Sequence, residues 1–332
     1  VMTRMGETVL VTGGSGFIGS WCAAELLERG YQVRTTVRDP ARAPAGTRAF
    51  LADLTRDDGW DEAVAGCDFV LHVASPVTTS DSDPGALVAP AREGTLRVLR
   101  AAVRAGVRRV VYTSSSAAAT PRATDPDGVT DETLWTDPDG PGVSPYRRSK
   151  VLAERAAWDL MAREGGSTEL STVLPGWTLG PLPPTPGRLG SLQVVQRLLN
   201  GSLIGLPRLG FEIVDVRDIA DLHLRAMTHP AAAGQRFLGT GDFLWMTEIA
   251  RIVRSLPGVD VRRVPRRRLP DLVVKLAARR DADLRTTVPN LGHRRIRSSA
   301  KARRMLGWTT RPPAEAIEAS ARGLGEYGVR SA

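Results

Sequence analysis

The chain has 332 residues, 42% hydrophobic and 24% charged, the usage of an ordinary globular protein with room for two domains or one large α/β unit plus a lobe. Its two cysteines, Cys22 and Cys67, exclude a disulfide framework and a Cys-rich zinc or iron–sulfur centre, and no metal site is expected. The net charge is +9, and residues 262–304 hold fifteen basic and three acidic residues. No aromatics interleave with those arginines, so nucleic acid is not an expected partner. The apolar positions Leu269, Leu272, Val273 and Leu276 instead predict a packed helix with a solvated basic face. No apolar run approaches the ~18 residues of a membrane span, and the N-terminus shows no leader pattern. The expectation is a cytoplasmic protein without a membrane partner.

Residues 7–12 (E-T-V-L-V-T) predict a first strand. Residues 17–29 predict a helix with Ile18, Cys22 and Leu26 on one face, closed by Gly30. Strands follow at 31–37 and 69–73, a helix at 87–105 closed by Gly106, a strand at 109–114, a long helix at 144–163 and a strand at 170–174. Repeated β–α–β units imply α/β architecture, a doubly wound parallel sheet of the Rossmann kind with helices on both faces. After Pro175 the texture changes. Residues 176–190 are rich in Pro and Gly and long enough for a functional loop. Helices at 218–228, 246–254 and 300–306 and a strand at 235–239 complete the reading. The expected division is a dinucleotide-binding domain over 1–175, to which 211–239 returns, and a smaller C-terminal substrate lobe built from 176–210 and 240–332.

Thr12-Gly13-Gly14-Ser15-Gly16-Phe17-Ile18-Gly19 joins the first strand to the first helix. Gly13 permits the tight turn, Gly16 close backbone approach to a pyrophosphate, and Gly19 close helix packing. The helix start offers free N–H groups and a positive dipole end to phosphates. The tip of the second strand reads the adenosine ribose: an acid there suits NAD, an arginine NADP. Here it reads Val37-Arg38-Asp39, with Arg42 four residues past Arg38. A guanidinium matches phosphate bidentately. Arg38 therefore favours NADP(H), while Asp39 could be a ribose acid. His72 is expected to be a core histidine rather than an acid–base group.

Tyr146 and Lys150 stand four apart, hence on one helical face. A tyrosine near pKa 10 exchanges a proton at neutral pH only if its phenolate is stabilised, which a neighbouring ammonium can do. The preceding strand ends Thr113-Ser114-Ser115-Ser116, placing a hydroxyl within reach of a carbonyl oxygen; Ser115 or Ser116 can supply it.

The G-x-x-G-x-x-G spacing near the N-terminus resembles the short-chain dehydrogenase/reductase superfamily, and the chain length its extended branch. V-R-T-T-V-R-D-P, H-V-A-S-P, V-Y-T-S-S, Y-R-R-S-K-V-L-A-E, L-P-G-W-T-L-G-P and V-D-V-R-D-I-A-D-L-H narrow the resemblance to the dihydroflavonol 4-reductase-like group. The resemblance selects Ser115 over Ser116 and implies catalytic roles for Ser115, Tyr146 and Lys150. It implies cofactor contacts from Thr12, Gly13, Ser15, Gly16, Phe17, Ile18, Gly19 and Arg38. It adds Asp53 (toward the adenine amino group), Leu54, Val73, Ala74, Ser75, Thr113, Tyr146, Lys150 and Pro175. Arg97 departs from the pattern, standing where many members place Asn, which puts an Asn-dependent proton relay in doubt.

The expected activity is NADPH-dependent reduction of a ketone or aldehyde by a monomer or homodimer. Its rivals are an NAD-dependent nucleotide-sugar epimerase or dehydratase and a non-catalytic dinucleotide sensor. Trp177, Leu179, Leu182 and Leu189, with Arg188 as the single base, then Leu192, Val195, Leu198 and Leu199, suggest an apolar wall. Such a wall suits an apolar or aromatic carbonyl better than a sugar nucleotide, whose diphosphate needs cations. The same residues could simply pack the lobe.

Overall fold

The computed structural model describes residues 6–76, 85–183, 190–280, 285 and 287–330. The apolar run that opens the chain becomes β1 (Thr8–Thr12), buried along its whole length. It lies between β2 (Gln32–Val37) and β4 (Phe69–His72) in a seven-stranded sheet. β3 (Arg48–Leu51) closes one edge, and β5 (Arg109–Thr113), β7 (Glu169–Pro175) and β10 (Arg236–Gly239) continue the other. Every pairing in this sheet is parallel. Parallel sheets need both faces covered, which is why their strands read as continuous apolar runs.

One face is covered by α1 (Phe17–Glu28) and α6 (Val216–Thr228), which bury Cys22, Leu26, Ile219 and Leu222 against Val9 and Val11. The other is covered by α2 (Trp60–Val64), α3 (Gly85–Arg104) and α4 (Pro145–Glu164), which bring Trp60, Leu99, Ala157 and Leu160 to Leu10 and Tyr112. The doubly wound sheet is the fold expected from the alternating pattern. β3 escaped that reading because it is a largely exposed edge strand; the guanidinium groups of Arg34 and Arg48 stand 5.4 and 5.0 Å from the Phe50 ring centroid.

Past Pro175 the chain builds a three-stranded sheet from β8 (Trp177–Leu179), β9 (Gly210–Asp215) and β11 (Phe243–Trp245). The stretch 211–239 thus divides: β9 joins this small sheet, while α6 and β10 pack on the main one. The lobe has its own core, in which α5 (Gln193–Leu199), α7 (Met246–Arg254) and α10 (Pro313–Arg330) bury Val195, Leu198, Ile249 and Ile317. Leu179, Leu192, Val195 and Leu198 are therefore lobe core. They fill the small sheet's inner face and do not wall a binding site. Leu182 packs against the same core, Leu199 is partly buried at its edge, and Arg188 and Leu189 lie outside the described residues.

β6 (Gly128–Thr130) pairs in parallel with β12 (Arg295–Arg297), tying the main domain to the lobe; α9 (Ala300–Leu306) follows β12. The helix predicted from Leu269 onward exists as α8 (Asp271–Ala277), but it is not packed on a core. Leu272 and Leu276 are exposed, Val273 is 42% exposed, and Val274 is the buried residue of the helix. Seven residues make two turns at the lip of a cleft, too short to lay an apolar stripe across a neighbour. Among the described residues no helix is long and apolar enough to cross a membrane, and no group of three His, Cys, Asp or Glu could hold a metal.

Candidate active site

Registers Thr12↔Thr36 and Thr12↔His72 set the C-terminal ends of β2, β1 and β4 side by side, where the order of connection reverses direction. Such a switch point leaves a crevice above the sheet. The cleft that opens there has a volume of about 1290 Å³ and runs from the glycine turn to the lobe.

At one end, Gly13 has φ +67°, and a Cβ there would stand 2.9 Å from Ala74 Cα. A methyl on Gly19 would stand 2.3 Å from the Gly13 carbonyl oxygen, so Gly19 admits the returning turn rather than a strand. Helix α1 begins at Gly16 with no side-chain cap and no acid in its first turn. The free N–H groups and dipole of its N-terminus face the cleft, beside Ser15, Phe17 and Ile18. Thr12 is not on the wall. Its hydroxyl is buried behind it, accepting from Ala74 N (3.0 Å) and paired with His72 Nδ1 (2.8 Å), which fixes the Val73–Ala74–Ser75 segment. His72 is fully buried, stacked on Tyr112, and held down to about 3 by burial, with the Lys150 charge adding to the effect. It is the neutral core histidine expected.

Arg38 and Arg42 line the cleft beside Asp53 and Leu54. Among the described residues Asp39 does not. Its carboxylate turns back to cap the Pro40–Arg42 turn, accepting from Ala41 N at 3.0 Å. Asp53 accepts from the Thr55 hydroxyl (2.6 Å) and amide (2.8 Å), which hold its carboxyl below the usual carboxylate range, with Arg38 adding to the effect. Arg97 is on the outer side of this loop, donating to Asp57 and to the Leu54 carbonyl. It braces the loop and does not enter the cleft.

At the middle of the cleft, Thr113, Ser115, Tyr146, Lys150 and Pro175 meet. Ser144 caps α4 through Arg147 N (3.2 Å) and Pro145 pre-sets its first turn, so Tyr146 stands at the helix start and Lys150 one turn on. Of the two serine candidates, Ser115 lies near enough to the Tyr146 hydroxyl to act on its pKa, and its own hydroxyl accepts from Ala117 N at 3.1 Å where its extended backbone starts the Ser116–Ala119 turn. Tyr146 presents 46% of its surface to the cleft. Desolvation of its hydroxyl end raises its pKa, and the nearby Ser115 hydroxyl works the other way. Lys150 is buried and donates to the Thr113 carbonyl at 3.4 Å; burial brings it down to about 8, against the pull of Glu154. Thr113 donates its hydroxyl to His223 Nε2 (2.8 Å), while His223 Nδ1 donates to the Ile219 carbonyl (2.7 Å).

The far end is walled by Trp177, Val194, Ile204, Phe211, Phe243 and Met246, with Leu269 and Val273 at the lip. The Trp177 and Phe211 rings stand 4.1 Å apart. Apart from Trp177, none of these was readable as wall: they come from five separate segments, and only the small sheet and α8 assemble them. Arg147, Arg295 and Arg297 also line this end, and sequence reading gave no signal for them beyond a crowded arginine content.

A switch-point crevice with a glycine turn at one end and a Ser–Tyr–Lys cluster at its middle defines a class, the nucleotide-dependent short-chain dehydrogenase/reductases. The chain belongs to the NAD dependent epimerase/dehydratase family, whose profile matches residues 9–238, and within it to the extended short-chain dehydrogenase/reductases of the dihydroflavonol 4-reductase-like group. It is 40% identical over 265 residues to cinnamoyl-CoA reductase 1 of Oryza sativa subsp. japonica, covering 75% of this chain and 76% of that one. It is 35% identical over 271 residues to dihydroflavonol 4-reductase of Dianthus caryophyllus, covering 75% and 73%. In fold it is similar to yeast methylglyoxal/isovaleraldehyde reductase Gre2 complexed with NADPH, with TM-score 0.79 and 24% identity over 97% of this chain and 99% of that one.

Proposed function

We propose that this chain reduces a ketone or aldehyde to an alcohol with NADPH, Tyr146 giving the proton. The observation that carries the reading is the Ser115–Tyr146 pair beside buried Lys150, midway along a cleft with Arg38 and Arg42 at its nucleotide end. The chain's residues fit the cofactor. The uncapped start of α1 suits a pyrophosphate, Arg38 and Arg42 suit a 2′-phosphate, and Asp39, whose carboxylate caps the Pro40–Arg42 turn, is not among the residues that line the cleft. Bound NADPH supplies the hydride.

The roles of the chain's own groups follow from acid–base chemistry. The raised pKa of Tyr146 keeps it protonated at neutral pH, ready to donate to a carbonyl oxygen that gains negative charge. Ser115 donates a hydrogen bond to that same oxygen. Lys150, charged below about pH 8, stabilises the phenolate left behind. Glycine turn, Arg38, Asp53, Leu54, Val73, Ala74, Ser75, Thr113 and Pro175 are proposed cofactor contacts. The lobe supplies the substrate side, and its wall of Trp177, Val194, Phe211 and Met246 favours an apolar or aromatic group.

Steady-state kinetics with NADPH and NADH on a panel of apolar carbonyls, for wild type and Arg38→Ala, test the reading. Loss of a charge-assisted phosphate contact costs about 1.5–3 kcal/mol, one to two orders of magnitude in NADPH selectivity. A wild type that prefers NADH, or an unchanged ratio in Arg38→Ala, refutes the NADPH assignment. Epimerisation of a nucleotide sugar with no carbonyl reduction refutes the reductase reading.

A further inference from the structure

Arg147 follows Tyr146 on the first turn of α4 and faces the substrate end of the cleft. It is partly buried and donates a long bond, 3.5 Å, to Asn290 Oδ1. Arg295, on β12, lines the same end. Its Nη2 donates to the Ala123 and Asp125 carbonyls at 2.6 and 2.8 Å, while its Nε is buried with no hydrogen-bond partner. Arg297, two residues on, is neutralised by the buried Glu212. His293 is paired with Asp127. Among the described residues no carboxylate lies within 4.0 Å of Arg147 or Arg295. Three guanidinium groups thus line the cleft together; Glu212 pairs with Arg297, and the Asp127 charge reaches Arg295 from its pairing with His293. Burial lowers Arg147 to about 10, and the charges of Arg297 and Arg295 add to the effect.

An unpaired cation in a partly desolvated site is costly unless an anion joins it. Resting on the reductase reading above, we propose that Arg147 and Arg295 bind a carboxylate of the substrate, making the preferred substrate an apolar carbonyl compound with an acid group close to the reacting carbonyl. Tyr146, Arg147 and Arg295 all line the one cleft, so an anion held by the arginines and a carbonyl held by Tyr146 can belong to one small molecule. A guanidinium takes a carboxylate bidentately, which would also fix which face of the carbonyl is presented. A coenzyme A thioester carries its phosphates many atoms from its carbonyl and does not match this spacing.

The test compares benzoylformate, its neutral methyl ester and cinnamoyl-CoA as substrates with NADPH, for wild type, Arg147→Gln and Arg147→Lys. Calorimetric titration of benzoylformate into each protein runs in parallel. The expected result is a kcat/KM for the acid at least tenfold above that of the ester. Arg147→Gln should lower the acid-to-ester ratio at least tenfold and weaken benzoylformate binding as much, and Arg147→Lys should retain most of both. An ester reduced as well as the acid, with benzoylformate binding unchanged in Arg147→Gln, overturns the proposal. So does cinnamoyl-CoA turnover that depends on Arg147 without any preference for the acid. If nothing is reduced yet benzoylformate binds through Arg147, the anion site stands and the reductase reading falls. If nothing is reduced and binding ignores Arg147, both fall.

Discussion

Tyr146 and Lys150 sit one turn apart, and burial drives them in opposite directions. It raises the phenol, whose charged form is an anion, and lowers the ammonium, whose charged form is a cation. The spacing was legible in the sequence; the direction of each shift required knowing how deep each group lies. Replacing Tyr146 with Phe removes the proposed proton donor and little volume, so kcat should fall by about 10²–10⁴ while NADPH titration stays close to wild type. The alkaline side follows from the same pair. The proposed reduction needs Tyr146 protonated and Lys150 charged. As pH rises through about 8 Lys150 loses its proton, so kcat/KM for reduction should be flat below that value and fall above it. A pH–rate profile that climbs through pH 8 is incompatible with these roles.

At the scale of elements, Glu154 shows how one side chain of α4 organises three strands. It is fully buried and accepts from Ser114 just beyond β5 (2.6 Å), Thr172 on β7 (2.9 Å) and Arg236 on β10 (2.8 Å). Arg236 in turn stacks 3.6 Å over Trp135 and donates to the Glu132 and Leu134 carbonyls. Truncating Glu154 to Ala would leave the Arg236 charge buried and uncompensated, an effect of about 3–5 kcal/mol. Urea unfolding should show that loss as a lower midpoint with an unchanged slope. Glu154 was visible only as the last letter of Y-R-R-S-K-V-L-A-E. Its partners are 18, 40 and 82 residues away, and no local pattern announces a contact that depends on three strands being in register.

At the scale of the whole molecule, two histidines are buried in neutral form, His72 at the end of β4 and His223 on α6. His72 is lowered to about 3 and His223 to about 4, both mainly by burial. In the unfolded chain each titrates near 6.5. Between 6.5 and those values the unfolded state holds more protons than the folded one, so stability rises with pH there and is lost as pH falls. Each histidine contributes about 1.4 kcal/mol per pH unit across that window. The melting temperature should drop steadily from pH 6.5 to 4. His223→Gln, which carries no titrating group, should give a shallower drop. An equal slope in wild type and variant would show that His223 does not take part.

The sequence by itself determined the doubly wound sheet, the glycine turn, the Tyr146–Lys150 pair and Arg38, because each is written in residues that are neighbours on one strand, turn or helix. Periodicity reports which side of an element is buried, and short motifs report what a backbone turn can hold. Only the tertiary structure decided that Asp39 turns to cap the Pro40–Arg42 turn while Arg38 faces the cleft, that Ser115 comes near the Tyr146 hydroxyl, and that Leu192, Val195 and Leu198 are lobe core. It also decided that Leu272 and Leu276 stay exposed, and that Arg295, lost in a basic stretch of sequence, lines the cleft with Arg147. Those outcomes depend on which distant segments pack together. A leucine at helical spacing has the same local pattern whether a core or a cleft lies opposite it, and an arginine's role is set by whether a carboxylate arrives beside it.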